Sequence, residues 1–261
     1  MRRLSLLLAC SAFVASVARA QDRFEIQVYD SDINPPLKAS LELHANYTVV
    51  GYGTPAYDGE TPTDRAARFT FEPAFGVTEY LEVGGYLQTV AAPGYGFKYA
   101  GVKLRAMGVV PRRLSGAFDL GLNLEISCVP RAAEKDTWGT ELRPVLGWRS
   151  KWIGIWLNPI VDWSLSGAAK WRPEFMPSAR VSVNTQQGFA VGLEYYTGLG
   201  AFADGMLPAR EQTHLLVAAF DLAPPEGAEP SPWSVNLGLG KGLTDGTPQQ
   251  WIMKAIIGRS F

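Results

Sequence analysis

Histidines and carboxylates are the side chains of this chain that could carry out chemistry on a substrate. An ester-hydrolysing site built on either histidine, His44 or His214, would also need a serine nucleophile and an orienting partner. No G-x-S-x-G motif occurs. A metal site needs ligands clustered at defined spacing, and two distant histidines with Cys128 form no such cluster. The sequence therefore predicts no catalytic residue, no metal site and no cofactor.

The charged residues follow another pattern, in which they recur at alternate positions of otherwise apolar segments. In residues 37–49, Leu, Ala, Tyr and Val alternate with Lys38, Glu42, His44 and other polar residues. A two-residue period is typical of a β-strand, and thirteen residues suit a strand that crosses a bilayer at a tilt. The polar faces of all such segments include Glu42, Arg68, Glu72, Glu82, Lys103, Arg105, Asp119, Glu125, Glu141, Arg143, Asp162, Glu174, Arg180, Glu194 and Lys254.

These charges favour an ion-paired interior over acid–base catalysis. Glu72 and Glu82 are a possible carboxylate pair, but basic residues occur on the same faces in nearly equal number and favour cross-strand ion pairs. In a soluble sandwich the polar face meets water, whereas in a membrane barrel it encloses a lumen. Glycines such as Gly84 and Gly121 share this face and make room for long side chains inside a narrow tube. We therefore expect the fifteen charged residues to line a lumen.

Turn and loop signals divide residues 37–261 into twelve predicted strands of an all-β, up-and-down antiparallel barrel. Four prolines, Pro73, Pro144, Pro159 and Pro177, fall inside these strands, where each removes a ladder donor that a bulge would have to accommodate. An even number of strands is usual for single-chain bacterial barrels, with short turns at the periplasmic end. The longer, outer loops are predicted at 51–66, 92–98, 130–138, 167–172, 199–210 and 244–249.

The front of the chain predicts export. Residues 1–20 combine a basic start, a short apolar centre and an Ala-Arg-Ala ending, which indicates a signal peptide cleaved after Ala20. Residues 7–10 also fit a lipoprotein cleavage box that ends at Cys10. Residues 21–36 alternate weakly and stop at two prolines, so they are predicted to form a periplasmic N-terminal segment. The net charge of −1 becomes more negative once the arginines of the signal peptide are removed, which argues against a nucleic-acid partner.

The carboxyl end resembles the closing strand of bacterial outer-membrane β-barrels. Residues 250–261 alternate in polarity and end on Phe261, although Arg259 departs from that pattern. The stretch from Phe71 to Gly84 (F-E-P-A-F-G-V-T-E-Y-L-E-V-G) is similar to strand–turn–strand units of porin-like proteins grouped with meta-pathway phenol-degradation transporters. The resemblance implies a Gram-negative outer-membrane location, assembly by the barrel-assembly machinery through Phe261, and passage of a small solute.

Three functions remain open from the sequence. The first is a narrow channel or transporter for a small solute, with the lipid bilayer around it and a charged lumen inside. The second is a closed structural or adhesive barrel, whose lumen is filled by side chains and by residues 21–36. The third is an outer-membrane lipid hydrolase, which would require His44 or His214 to act at the lipid-facing wall.

Overall fold

The computed structural model describes residues 22–223 and 231–261, so the predicted signal peptide and residues 224–230 lie outside the described residues. The chain forms fifteen strand segments in this part, together with one short α-helix, α1 (Arg112–Ser115), and a 3₁₀ turn (Phe202–Asp204). The strands are β1 (Ala39–Gly51), β2 (Ala67–Thr78), β3 (Leu81–Ala92), β4 (Gly96–Val109), β5 (Phe118–Cys128), β6 (Trp138–Arg149), β7 (Ile153–Asn158), β8 (Val161–Ser164), β9 (Glu174–Phe175), β10 (Ser178–Asn184), β11 (Gly188–Gly198), β12 (Gly200–Ala201), β13 (Thr213–Ala223), β14 (Trp233–Gly242) and β15 (Gln249–Ser260). None of the helices described has the length and apolar character needed to span a bilayer.

The sheet closes on itself as an antiparallel barrel. First and last strands meet directly, since Leu43 of β1 lies opposite Phe71 of β2 on one side and Ile257 of β15 on the other. β6 pairs with β7 along one half and with β8 along the other in the same register, so β7 and β8 are one interrupted wall strand. β9 with β10, and β11 with β12, are interrupted in the same way. The predicted twelve-stranded barrel is confirmed.

Three prolines explain where the wall is interrupted. The registers of β6 with β7 and β8 place Pro144 opposite Pro159, and the registers on the far side place Pro159 opposite Pro177. Three adjacent strands therefore lack a backbone donor at the same level, and the second and third break there because a proline cannot hydrogen-bond across the ladder. Pro73 stays within β2, but the β2–β3 ladder skips it together with Glu72.

One predicted outer loop is much shorter than expected. The sequence predicts an outer loop at residues 92–98, whereas β3 ends at Ala92 and β4 begins at Gly96, which leaves a turn of three residues. Gly94 and Gly96 both adopt positive φ values, of 79° and 69°. Glycine adopts this conformation without steric cost, so here it closes a tight hairpin and does not mark a long loop.

The two faces of the wall are inverted relative to a soluble protein. In β5, Leu122 and Leu124 are 47% and 44% exposed, whereas Asn123 is fully buried and Glu125 is 1% exposed. The same alternation runs along β2, β3 and β15. Aromatic side chains near strand ends, such as Trp148 and Trp152, are exposed as well and suit an interfacial girdle. An outward apolar face and an inward ionic face are the arrangement of a membrane barrel.

The inversion predicts that a charge placed on the outer face is costly near the middle of the bilayer. Leu193 stands at the centre of β11 and is 55% exposed, so Leu193→Arg is expected to lower the free energy of unfolding in lipid vesicles by about 2–4 kcal/mol. Leu243, directly after β14, is 52% exposed but lies at a strand end. Leu243→Arg is therefore expected to lower the free energy of unfolding by at most about 1 kcal/mol. Urea unfolding followed by tryptophan fluorescence measures both, and equal values for the two variants would contradict the membrane placement.

Candidate functional site

Residues 22–36, termed the plug below, run through the lumen from one end of the barrel to the other. At the long-loop end, Arg23 forms a 2.9 Å ion pair with Glu60 of the β1–β2 loop. At the tight-turn end, the backbone N–H of Asn34 donates to Glu82 Oε2 at 2.7 Å. Between these points Ile26 is 1% exposed. The sequence predicted either a periplasmic segment or a segment that fills a closed lumen, and the contacts of residues 22–36 lie inside the barrel.

The apolar side chains of the plug explain why it stays inside. Each of three apolar clusters in the lumen contains at least one of them. Phe24 packs with Val90, Ala100, Val129 and Ala133; Ile26 and Val28 pack with Tyr196, Leu215, Val217 and Ile252; and Tyr29 packs with Met107, Val109 and Val145. Burial of one such side chain is worth about 1.5–3 kcal/mol, and the plug buries four. The lumen is therefore partly an apolar core that the plug completes.

Polar side chains of the wall provide hydrogen-bond partners for the backbone of the extended plug. Asn158 donates to the carbonyl of Tyr29 at 3.1 Å and accepts from its N–H at 2.7 Å. Thr70 and Asn46 both donate to the carbonyl of Phe24 at 3.1 Å. Buried backbone groups need such partners to avoid a large desolvation cost. The plug is thus held by specific hydrogen bonds as well as by apolar contacts.

Lys254 joins the plug to the opposite wall. Its Nζ donates to the carbonyl of Ile26 at 2.9 Å and lies 2.5 Å from Glu194 Oε2. Both side chains are only 1% exposed. Glu194 also accepts from Tyr196 at 2.7 Å and pairs with Arg180 at 3.3 Å. Lys254 therefore has two buried acceptors, and the plug supplies one of them.

Other charged residues form ion-paired groups that also reach the plug. Arg143 is fully buried, donates to Glu141 at 2.7 Å, lies 3.5 Å from Glu25 of the plug and covers the ring of Tyr29 at 4.2 Å. Lys103 pairs with Glu125 and with Asp22, where the plug begins among the described residues. Glu125 and Glu141 lie opposite each other on β5 and β6, and their like charges are balanced by Lys103 and Arg143.

Of the fifteen charged residues singled out from the sequence, ten are buried in the structure and five are half-buried. Arg68, Glu72, Glu82, Arg105, Asp119, Glu125, Glu141, Arg143, Glu194 and Lys254 are buried, while Glu42, Lys103, Asp162, Glu174 and Arg180 are half-buried. Arg105 brings Glu72 and Glu82 together, at 2.8 and 2.7 Å. Arg68 stands apart from the ion pairs and lies over the ring of Phe24 at 5.6 Å.

The two histidines occupy different surroundings. His44 is buried in the lumen, and its Nε2 lies 2.9 Å from Glu72 Oε2 and 3.6 Å from Glu42 Oε2. His214 starts β13, where its Nδ1 meets the Tyr195 hydroxyl at 2.6 Å and its Nε2 meets Gln212 at 3.0 Å. In the described residues the partners of both rings are thus carboxylate, phenol and amide groups, which is not the serine-containing arrangement that lipid hydrolysis needs.

The sequence did not reveal which plug and wall residues meet. Glu25 of the plug lies 3.5 Å from Arg143, and Asn158 of the wall hydrogen-bonds to the backbone of Tyr29, but the sequence predicted neither contact. The signal available was the alternation of Phe24, Glu25 and Ile26, which indicates an extended segment with one apolar face but does not show what covers that face.

A cavity remains beside the plug at the tight-turn end. It has a volume of about 270 Å³ and is bordered by the carboxylates Glu42, Glu72 and Glu82, by Arg105, and by Asp30 of the plug. A smaller space of about 50 Å³ lies at the long-loop end, next to Asp22 and Lys103. Both spaces are lined by charge, so water and small polar solutes are their natural occupants.

Comparison with known proteins shows the fold. The chain matches no protein-family model and no curated protein sequence. Among solved structures it is similar to the COG4313 outer membrane channel from Pseudomonas putida F1, with 14% identity, a TM-score of 0.57, and coverage of 91% of this chain and all of that one. It is also similar to the NanC porin (10% identity, TM-score 0.54, coverage 85% and 98%) and to the KdgM porin in complex with disordered oligogalacturonate (8%, 0.52, coverage 85% and 99%).

Proposed function

We propose that this chain is a narrow channel of the bacterial outer membrane, in which a small solute passes through a charged lumen that the plug constricts. The observation that carries the proposal is the inverted barrel itself, with leucine and aromatic side chains outside and ion pairs around charged cavities inside. Structures of the same fold that are named as channels or porins support it. The exposed Phe261, whose N–H donates to the carbonyl of Ala39 at 2.8 Å, suits recognition by the barrel-assembly machinery.

A second candidate function is a closed barrel with a structural role. The plug favours it, because Ile26, Tyr29 and their wall partners fill the middle of the lumen. The two functions differ in what happens when the plug leaves. A channel needs a state in which the plug shifts or lets solute pass beside it, whereas a structural barrel needs no such state.

Planar-bilayer recording of the mature protein tests the channel. We expect discrete current steps of small amplitude, because charged spaces lie at both ends of the lumen but the plug narrows its middle. Migration on a gel with and without boiling confirms that the sample is folded. Absence of current both from the folded wild type and from the folded protein without its plug would contradict passage of solute. Current from the plug-free protein alone would support the closed barrel.

A further inference from the structure

Glu42, His44 and Glu72 bring three ligand atoms together in the lumen. Glu42 and His44 lie two residues apart on the inner face of β1, and Glu72 lies directly opposite Glu42 on β2. The His44 Nε2 and one oxygen of each carboxylate all lie within 4.8 Å of one another. Two adjacent strands thus form a cluster of one imidazole and two carboxylates, which no local sequence spacing predicts.

The distances in this cluster suit a tetrahedral metal ion. Two ligands that each lie about 2.0–2.2 Å from a tetrahedral Zn²⁺ are about 3.3–3.5 Å apart. Nε2 of His44 is 2.9 Å from Glu72 Oε2 and 3.6 Å from Glu42 Oε2, values on either side of that separation. Shifts of about 0.1–0.6 Å would bring both of these distances to that separation.

The surroundings hold the ligands in place and leave a path to them. Arg105 donates to Glu72 Oε1 at 2.8 Å, so Glu72 Oε2 remains directed at His44. Support of a ligating carboxylate by a hydrogen bond from behind is common around metal sites. Glu42 keeps 27% of its side chain exposed, and Glu42 and Glu72 both border the 270 Å³ cavity. An ion can thus arrive from the cavity without any change in the wall.

The negative charges of Glu42 and Glu72 favour a cation between them. Glu42 and Glu72 lie opposite each other, and like charges at such positions are destabilising unless a cation lies between them. A divalent ion between the two carboxylates would neutralise both, and His44 would bind it through Nε2 with its proton on Nδ1.

We propose that Glu42, His44 and Glu72 bind a first-row divalent transition metal ion, with Zn²⁺ the best fit, at the edge of the lumen cavity. Imidazole nitrogen selects such ions over Ca²⁺ and Mg²⁺, which prefer six or more oxygen ligands. Water from the cavity completes the coordination. The site follows from the barrel alone and does not depend on solute passage.

Calorimetric titration of the EDTA-treated, folded mature protein with Zn²⁺ tests the site. We expect one Zn²⁺ ion per chain. His44→Ala removes a ligand and is expected to lower the affinity for Zn²⁺ at least about 10–100-fold, because removing a residue that only supports a metal ligand already has an effect of that size. Glu42→Gln serves as the second variant if His44→Ala fails to fold, since among residues 22–223 and 231–261 the contact with His44 is the one polar contact of the Glu42 side chain. His214→Ala is the matched control and is expected to keep full binding.

A second readout separates a metal site from an ion-paired histidine. Co²⁺ bound at the site is expected to show the visible absorption of tetrahedral coordination, and this absorption should disappear in His44→Ala or Glu42→Gln but persist in His214→Ala. The proposal is overturned if the wild type binds no Zn²⁺ at submillimolar concentration. It is equally overturned if both cluster variants bind as tightly as the wild type, or if His214→Ala abolishes binding.

Discussion

Deletion of residues 22–36 is expected to raise the single-channel conductance of the barrel several-fold. The plug contributes Phe24, Ile26, Val28 and Tyr29 to three apolar clusters that occupy the middle of the lumen. A twelve-stranded barrel is wider than the eight-stranded barrels whose interiors side chains can fill, so its lumen holds water once the plug is gone. Recording of wild type and deletion variant in the same planar bilayer measures the change.

A variant that keeps the length of the plug controls for damage to the barrel. Phe24→Ser/Ile26→Ser/Val28→Ser removes three of the four apolar side chains of the plug. It retains Tyr29 and the hydrogen bonds that Asn158 makes with its backbone. We expect intermediate conductance with frequent closures, because the segment remains tethered at β1 and can return to the lumen. Folded deletion protein with wild-type conductance would show that the plug does not obstruct the path.

Period-two alternation was sufficient to predict the barrel, because the faces of each strand depend only on local sequence. The alternation in residues 117–129 predicts a strand, and the observed β5 (Phe118–Cys128) is shorter by one residue at each end. Local sequence does not determine the interruptions so well. Pro159 and Pro177 break their strands, while Pro144 does not break β6, whose ladder with β5 continues past it.

The lumen could be predicted only in part, because alternation determines a face but not a register. The inward direction of Glu42 and of Glu72 followed from the pattern of each strand. Their position directly opposite each other depends on the conformation of the β1–β2 loop, and no sequence pattern specifies it. The same reason explains why the sequence predicted no metal site, although His44 and both carboxylates were among the residues it placed on polar faces.

Removal of Lys254 is expected to destabilise the barrel more than any other single lumen substitution considered. Lys254→Met leaves Glu194 without its 2.5 Å partner and the carbonyl of Ile26 without its donor. Breaking a buried ion pair by removing one partner costs about 3–5 kcal/mol. The lower end of this range is expected, because Arg180 and Tyr196 still contact Glu194. Urea unfolding in lipid vesicles, followed by tryptophan fluorescence, measures the loss.

Two further variants establish that the loss comes from the buried pair. Lys241→Met removes an exposed lysine that contacts only the ring of Trp251 in the described structure, at 5.2 Å, and is expected to cost less than about 1 kcal/mol. Lys254→Met/Glu194→Gln removes both charges together and is expected to recover most of the stability, since no unpaired carboxylate remains buried. A double variant as unstable as Lys254→Met alone would instead assign the loss to the bond between Lys254 and the plug, because that bond is missing from both proteins.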